Sequence, residues 1–181
     1  VEAMDFLAMD VQGAELGVGW MRFILWLAQI RVLREIAPFS RILCIKVRQI
    51  GLTWLFACCG LHQSIFFPDQ AGFVFSLDQK RANKLLKRIK DIWKRLPEFL
   101  IAGTGEPGEV WTTDEISFSN GSTIEAFPAT EAANIGDAYT WGVFDEVPAA
   151  EALGHKDLSE MIESAMLEAL RAHQGWFVAN G

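Results

Sequence analysis

Arg41-Ile42-Leu43-Cys44-Ile45-Lys46-Val47-Arg48-Gln49-Ile50-Gly51-Leu52-Thr53-Trp54-Leu55 is the stretch whose reading decides the fold. Ile42 to Val47 is β-branched and apolar and too short for a helix, so it reads as a strand buried on both faces. Basic residues follow, Gly51 allows a turn, and Thr53 to Phe67 reads as a helix closed by Pro68. Strand, glycine turn and helix in that order outline a phosphate-binding loop, in which backbone N–H groups at a helix start surround an anion.

The usual form of such a loop is G-x-x-x-x-G-K-[ST], with lysine on the phosphates and the hydroxyl on a metal. Its eight positions are occupied here by Lys46, Val47, Arg48, Gln49, Ile50, Gly51, Leu52 and Thr53. The second glycine and the hydroxyl are in place, Leu52 stands where lysine belongs, and Lys46 replaces the first glycine. A loop that wraps an anion brings both its ends near the charge, so Lys46 reaches from one end what Leu52 lacks at the other. Lys46 to Trp54 is therefore the expected nucleotide-binding stretch. Taken alone, the same residues also fit a basic strand-turn-helix without a ligand.

A second motif, Trp141-Gly142-Val143-Phe144-Asp145-Glu146, supplies an acidic pair after a buried strand over Gly142 to Phe144. Phosphoryl transfer to water requires a metal held by the loop hydroxyl and a strand-end carboxylate, together with a base that orients the water. Thr53 and Asp145 suit the metal, and Glu146 suits the base. A strand end meeting solvent explains Asp145 and Glu146 equally well in isolation. Two such motifs, each at the C-terminal end of a strand, point to a nucleotide site where open α/β sheets bind ligands.

Around these motifs, Trp20, Phe23, Ile24, Leu27, Ile30 and Leu33 recur at helical spacing and predict a helix from Trp20 that Pro38 ends. Residues 1–19, with Gly13, Gly17 and Gly19, read as a loosely ordered lead-in to a single domain over residues 20–181. Gly72 to Leu77 predicts a buried strand. Leu85, Leu86, Ile89, Ile92, Trp93 and Leu96 form one face of a helix, opposite a basic face of Lys80, Arg81, Lys84, Lys87, Arg88, Lys90, Lys94 and Arg95. That face reads as a solvated surface or as a track for a phosphate backbone. Leu100 to Thr113 reads as a surface loop. Ile116 to Phe118 and Ser122 to Phe127 flank Asn120-Gly121 as a hairpin, Ser159 to Ala172 is a helix, and Trp176 to Ala179 starts a last strand. Strands alternating with helices imply an α/β fold, an open and mainly parallel sheet with helices on both faces.

Composition is consistent with that reading. Of 181 residues 51% are hydrophobic, enough for one α/β core. A net charge of -7 argues against a chain that wraps nucleic acid all round and leaves room for a local basic face. Cys44, Cys58 and Cys59 lie in apolar surroundings without metal-ligand spacing and read as free thiols in a reducing compartment. Trp20 to Leu27, the longest apolar run, is interrupted by Arg22, so no membrane span is expected, and no signal peptide is visible. A start at Val1 is expected of a piece of a longer protein.

K-V-R-Q-I-G-L-T at Lys46 to Thr53, G-V-F-D-E at Gly142 to Glu146 and F-V-A-N-G at Phe177 to Gly181 together resemble the ATPase domain of the large terminase subunit, the DNA-packaging motor of tailed bacteriophages. That family has a deviant Walker A loop with R-Q-x-G, and in some members the lysine has moved to its start, as Lys46 has here. The resemblance spans Gln29 to Gly181 in the same order. It implies a P-loop NTPase of the additional-strand ASCE class that binds ATP and Mg2+. By the same resemblance Lys46, Arg48, Gln49, Gly51 and Thr53 lie on the phosphates, Asp145 is the Walker B aspartate on Mg2+, and Glu146 is the catalytic glutamate. Gln29 matches the glutamine that reads adenine, whose edge an amide satisfies with one donor and one acceptor. Asn180 and Gly181 match the end of the coupling motif that senses the γ-phosphate. The implied partners are double-stranded DNA, the portal protein, the small terminase subunit and further copies in a homo-oligomeric ring, in the host cytoplasm and transiently at the procapsid portal.

Two departures limit the carry-over. Ile135-Gly136 stands where the family commonly has Arg-Gly, so no arginine role transfers there. Family members continue into a nuclease domain, whereas these residues end at the coupling motif, so no nuclease activity is expected of them. Arg81, Arg88 and Arg95 are all candidates for an arginine supplied to a neighbouring copy. Two other classes fit the same motifs: a helicase-like nucleic-acid-remodelling ATPase, and an assembly module that binds nucleotide without hydrolysis, as Leu52 in the lysine position allows.

Overall fold

In the computed structural model the described residues are 10–12, 20–36, 41–44, 51–102, 105–128, 139–145 and 176–180. In chain order the elements are β1 (Asp10–Gln12), β2 (Trp20–Arg22), α1 (Leu27–Ile36), β3 (Arg41–Cys44), α2 (Leu52–Phe66), β4 (Ala71–Ser76), α3 (Gln79–Trp93), α4 (Glu98–Ile101), β5 (Pro107–Trp111), β6 (Glu115–Phe118), β7 (Thr123–Pro128), β8 (Trp141–Asp145) and β9 (Trp176–Asn180). β3, β9, β8, β4 and β7 run parallel in that order, and β6 and β5 extend the sheet antiparallel to complete its seven strands. β9, last in sequence, is thus inserted between β3 and β8.

The apolar runs form strands because both sheet faces are removed from water. Along β8, Trp141 and Val143 join the core with α2, while Phe144 faces the other way and packs on Phe73 and Phe75 of β4, with ring centroids 5.1 Å apart in each pair. α2 is apolar nearly all round, with Leu52, Leu55, Phe56, Ala57, Cys58, Cys59, Leu61 and Ile65 buried, as a helix wedged between a sheet and another helix must be. Burial drives both neighbouring thiols up, Cys59 to about 12, so they remain protonated packing groups. α3 lies beside α2 and buries Ala82, Leu85, Leu86, Ile89 and Ile92. Its start is set by Asp78, whose carboxylate accepts the Arg81 N–H at 2.8 Å.

One side chain fixes the seat of α2 on the sheet. Trp141 is fully buried, donates from Nε1 to Ser64 Oγ at 3.2 Å, and lies flat in a slot made by two glycines. A Cβ on Gly72 of β4 would come within 2.1 Å of the indole, and one on Gly60 of α2 within 2.5 Å. Burying an indole stabilises by about 4–6 kcal/mol, whereas its hydrogen bond adds about 1 kcal/mol, so packing dominates.

Three sequence expectations are corrected. Trp20 does not start a helix: Trp20–Arg22 pairs antiparallel with Asp10–Gln12 of the lead-in. α1 begins at Leu27 because Gln29 accepts the Trp26 N–H on Oε1 at 3.0 Å, a side chain reaching back from the third helical position to cap the entry. Leu100 to Thr113 is not a featureless loop, since Trp111 packs on Trp93 and Phe118 and brings β5 onto β6. Nor is the basic face of α3 wholly solvated: Lys90 is buried with its ammonium on the Thr112 carbonyl, and Arg88 stacks over Trp54 at 5.4 Å. Burial lowers the Lys90 pKa, against the pull of Asp114. The expected hairpin is present, and its turn docks on the end of α2 through Asn120 Nδ2, which donates to the Ser64 carbonyl at 2.8 Å. The expected helix from Ser159 to Ala172 lies outside the described residues.

Gly72→Ala is predicted to destabilise the fold by about 1–3 kcal/mol, because the methyl meets the indole and not a flexible chain end. Urea unfolding of Gly72→Ala, Trp141→Leu and the double variant checks this: the two costs should fall well short of additive. Full additivity would show that the slot is not shared.

Candidate functional site

The C-terminal ends of the parallel strands form one row. Cys44 pairs with Asn180, and Asn180 pairs with Asp145, so the end of the loop strand and the acidic strand end lie on either side of β9. Alternation along β8 turns Asp145 to the same side as Trp141 and Val143, the side on which α2 lies. There Thr53 donates from Oγ1 to Asp145 Oδ1 at 3.2 Å, across 92 residues of sequence. The two residues that the sequence assigns to one metal are therefore in contact. On the other flank, Ser76 at the end of β4 donates from Oγ to the Asp145 carbonyl at 3.5 Å.

Gly51 caps α2 with φ 74° and ψ 16°, a left-handed conformation that admits glycine readily. The first turn of α2 contains no acidic residue, so the positive field of the helix N-terminus is not offset there by a carboxylate of its own. A Cβ on Gly51 would also lie 2.7 Å from Gln29 Nε2. Gln29, only 3% exposed, thereby joins the start of α1 to the turn before α2, with its oxygen on Trp26 and its amide nitrogen against Gly51. Trp54, next to Thr53, is half-buried under the Arg88 guanidinium.

Of the residues expected to form the site, Gln29, Gly51, Leu52, Thr53, Trp54, Asp145 and the backbone of Asn180 are described and gather at this edge of the sheet. Leu52 is buried at 3% exposure, so it serves the core from the position where a lysine is usual. Lys46, Val47, Arg48, Gln49, Ile50, Glu146 and Gly181 lie outside the described residues. Sequence reasoning missed Ser76, whose only signal is a hydroxyl at the end of an otherwise apolar strand. It also missed Gly60, although an isolated glycine inside a helical pattern marks a close packing partner.

The donor set fits Mg2+. A hydroxyl beside a carboxylate offers hard oxygens, and Mg2+ takes one or two such ligands with phosphate oxygens and water completing its shell. Among the described residues no group of three or more His, Cys, Asp or Glu is placed to hold a metal, as a zinc or calcium cage requires. No described helix is long and apolar enough to cross a membrane.

No protein-family model matches the chain, and no curated protein matches it. Solved structures that share the fold include phage large terminases. The large terminase ATPase domain of Thermus phage P74-26 superposes with a TM-score of 0.58 at 17% identity, over 78% of this chain and 58% of that one. A variant of that domain gives 0.63 at 16% identity, over 90% and 65%. The large terminase of bacteriophage HK97 gives 0.64 at 13% identity, over 97% of this chain and 36% of that one. The chain thus spans 58% of the first of these and a smaller share of the HK97 protein. At these identities the likeness is one of fold: an open, mainly parallel sheet in which β9 lies between β3 and β8.

Gly51→Ala is predicted to cost about 1–3 kcal/mol from the left-handed turn, and a further share from the contact with Gln29. In a Gln29→Ala background only the contact share should be relieved. Equal urea midpoints for wild type and Gly51→Ala would contradict the turn geometry.

Proposed function

We propose that this chain is the ATPase domain of a phage large terminase and hydrolyses ATP with Mg2+ to drive double-stranded DNA into a procapsid. The observation that carries the reading is the contact of Thr53 Oγ1 with Asp145 Oδ1, made across β9 in a fold shared with phage large terminases. It sets a hydroxyl on the first turn of α2 beside a carboxylate at the end of β8.

In this reading Thr53 and Asp145 hold Mg2+, which when bound supplies the positive charge that offsets the transferring phosphoryl group. Gly51 lets the chain turn into α2 so that backbone N–H groups of the Lys46 to Trp54 stretch face the phosphates. Lys46 and Arg48 neutralise them from the start of that stretch, in place of a lysine at Leu52. Glu146 follows Asp145 and accepts the proton of the attacking water. Gln29 reads the adenine edge only once its amide turns away from the Trp26 N–H and the Gly51 turn that it meets here. Asn180, in register with Asp145, and Gly181 pass the state of the γ-phosphate along β9. Residues 20–181 form the ATPase domain, the partners are double-stranded DNA, the portal protein and the small terminase subunit, and the working form is a ring of copies in the host cytoplasm at the portal.

Glu146→Ala is predicted to abolish phosphate release while leaving ATP affinity within about threefold of wild type. A malachite-green assay with and without Mg2+, on crosslinked or portal-bound protein so that neighbouring copies are present, measures it; unchanged turnover would remove Glu146 from the mechanism. Binding titrations with ATP and GTP address the rest of the site. Lys46→Ala should weaken both nucleotides alike by about tenfold or more, and Gln29→Ala should narrow the preference for ATP. Equal losses for ATP and GTP in Gln29→Ala would reassign that amide to the support of Gly51.

A further inference from the structure

α3 gathers cations that the rest of the chain lacks. Residues 78–96 hold eight of the 16 basic residues and only two of the 23 acidic ones, Asp78 and Asp91, so this segment is net positive in a chain of net charge -7. The structure divides the eight. Arg88 turns onto Trp54 and Lys90 is buried on the Thr112 carbonyl, whereas Lys80, Arg81, Lys84, Lys87, Lys94 and Arg95 remain exposed. At 3.6 residues per turn the four exposed lysines fall within an arc of about 80° of the helix surface, and Lys80 and Lys94 stand about 21 Å apart along the axis. The arc lies opposite Ala82, Leu85, Leu86, Ile89 and Ile92, which face the core, so it is a straight ridge turned to solvent.

The chemistry of the ridge selects among anionic partners. A protein partner needs apolar or aromatic anchors at the centre of its interface, and the lysine arc contains none. A single strand is held by stacking its bases on rings, but Trp93, the one aromatic residue of α3, packs on Trp111 away from the arc. A duplex presents rigid rows of phosphates on either side of a major groove about 12 Å wide, and a ridge of about 21 Å reaches both rims. Lysine ammoniums neutralise phosphate as point charges without the planar fork that reads bases, so such a contact is with the backbone and independent of sequence. The pairs Arg81–Asp78 at 3.4 Å and Lys87–Asp91 at 2.8 Å lie at the surface, where an ion pair is readily exchanged for another anion.

We infer that the lysine ridge of α3, formed by Lys80, Lys84, Lys87 and Lys94, is a docking track for the phosphate backbone of double-stranded DNA. The inference rests on the reading above for its partner and adds the surface that holds it. α3 starts after a two-residue connection from β4, at the sheet edge where Thr53 meets Asp145, and Arg88 joins it to Trp54 beside Thr53. The track is thereby packed on the helix that opens the candidate nucleotide site.

Equilibrium binding of the full chain to a short duplex of mixed sequence, over a range of salt concentrations, tests it. Lys80→Ala/Lys84→Ala should weaken binding by about tenfold or more and flatten the slope of log K against log salt by about 2, the value for two lost phosphate contacts. Arg31→Ala/Arg34→Ala removes the same charge from exposed positions on α1 and should change affinity by less than about threefold. Phosphate release without DNA should stay within about twofold of wild type in both variants. Unchanged duplex affinity in Lys80→Ala/Lys84→Ala overturns the inference, and so does an equal loss in the two double variants, which would make net charge and not the ridge the cause. Poly-glutamate or a single strand that competes as well as the duplex also overturns it, the former by making the ridge a surface for an acidic protein. A wild-type chain that releases phosphate but binds no duplex overturns the inference and leaves the ATPase reading. One that binds duplex through the ridge but releases no phosphate even when assembled overturns the ATPase reading instead.

Discussion

The fit of the Trp141 indole between Gly60 and Gly72 is the constraint on which the rest of the structure depends. It brings the axis of α2 close to β8 and β4 at one point, about two helical turns from Thr53 and four residues from Asp145. From that anchor both elements run rigidly to the same edge of the sheet, the helix towards its N-terminus and the strand towards its C-terminus. The contact of Thr53 with Asp145 is the consequence. A 3.2 Å hydrogen bond is worth at most about 1.5–3 kcal/mol and would not by itself bring a helix to a sheet, whereas burial of the indole is worth more. Packing sets the geometry, and the polar contact makes use of it.

The same edge concentrates opposite fields. The N-terminus of α2 is positive and has no carboxylate in its own first turn, while Asp145 sits a hydrogen bond away at the end of β8. An anion at the helix start and a cation beside the carboxylate suit this pair together better than either does alone. Gly51 belongs to this arrangement for two physical reasons: its left-handed φ and the closeness of the Gln29 amide. Gln29 in turn caps α1 through Trp26, so the entry to the first helix and the turn before the second are tied through one side chain.

Much of this was legible in the residues. The strands β4, β8 and β9, the helices α2 and α3, and the hairpin around Asn120-Gly121 follow from apolar runs, helical spacing and turn chemistry, and they stand where the sequence puts them within a residue or two. The misread pieces have a common cause. Trp20, Phe23, Ile24 and Leu27 fit a helical period, yet Trp20–Arg22 is a strand because Asp10–Gln12 offers it a partner, and no local period reports a distant partner. Trp111 likewise became strand through contact with Trp93 and Phe118. The basic stripe of α3 reads as uniform along the chain, but Trp54 and the Thr112 carbonyl take Arg88 and Lys90 out of it.

By itself the sequence determined the chemical parts: a glycine that can turn left-handed at Gly51, a hydroxyl at Thr53, a carboxylate at Asp145, and apolar runs long enough for one buried sheet. Those depend on residue type and local spacing, which the chain carries in its order. Only the tertiary structure decided that Thr53 and Asp145 touch, that β9 lies between β3 and β8, and that the Ser76 hydroxyl faces the Asp145 carbonyl. Contacts across 92 and 69 residues arise from strand order and from the seat of one indole, and neither is written in any local stretch of sequence.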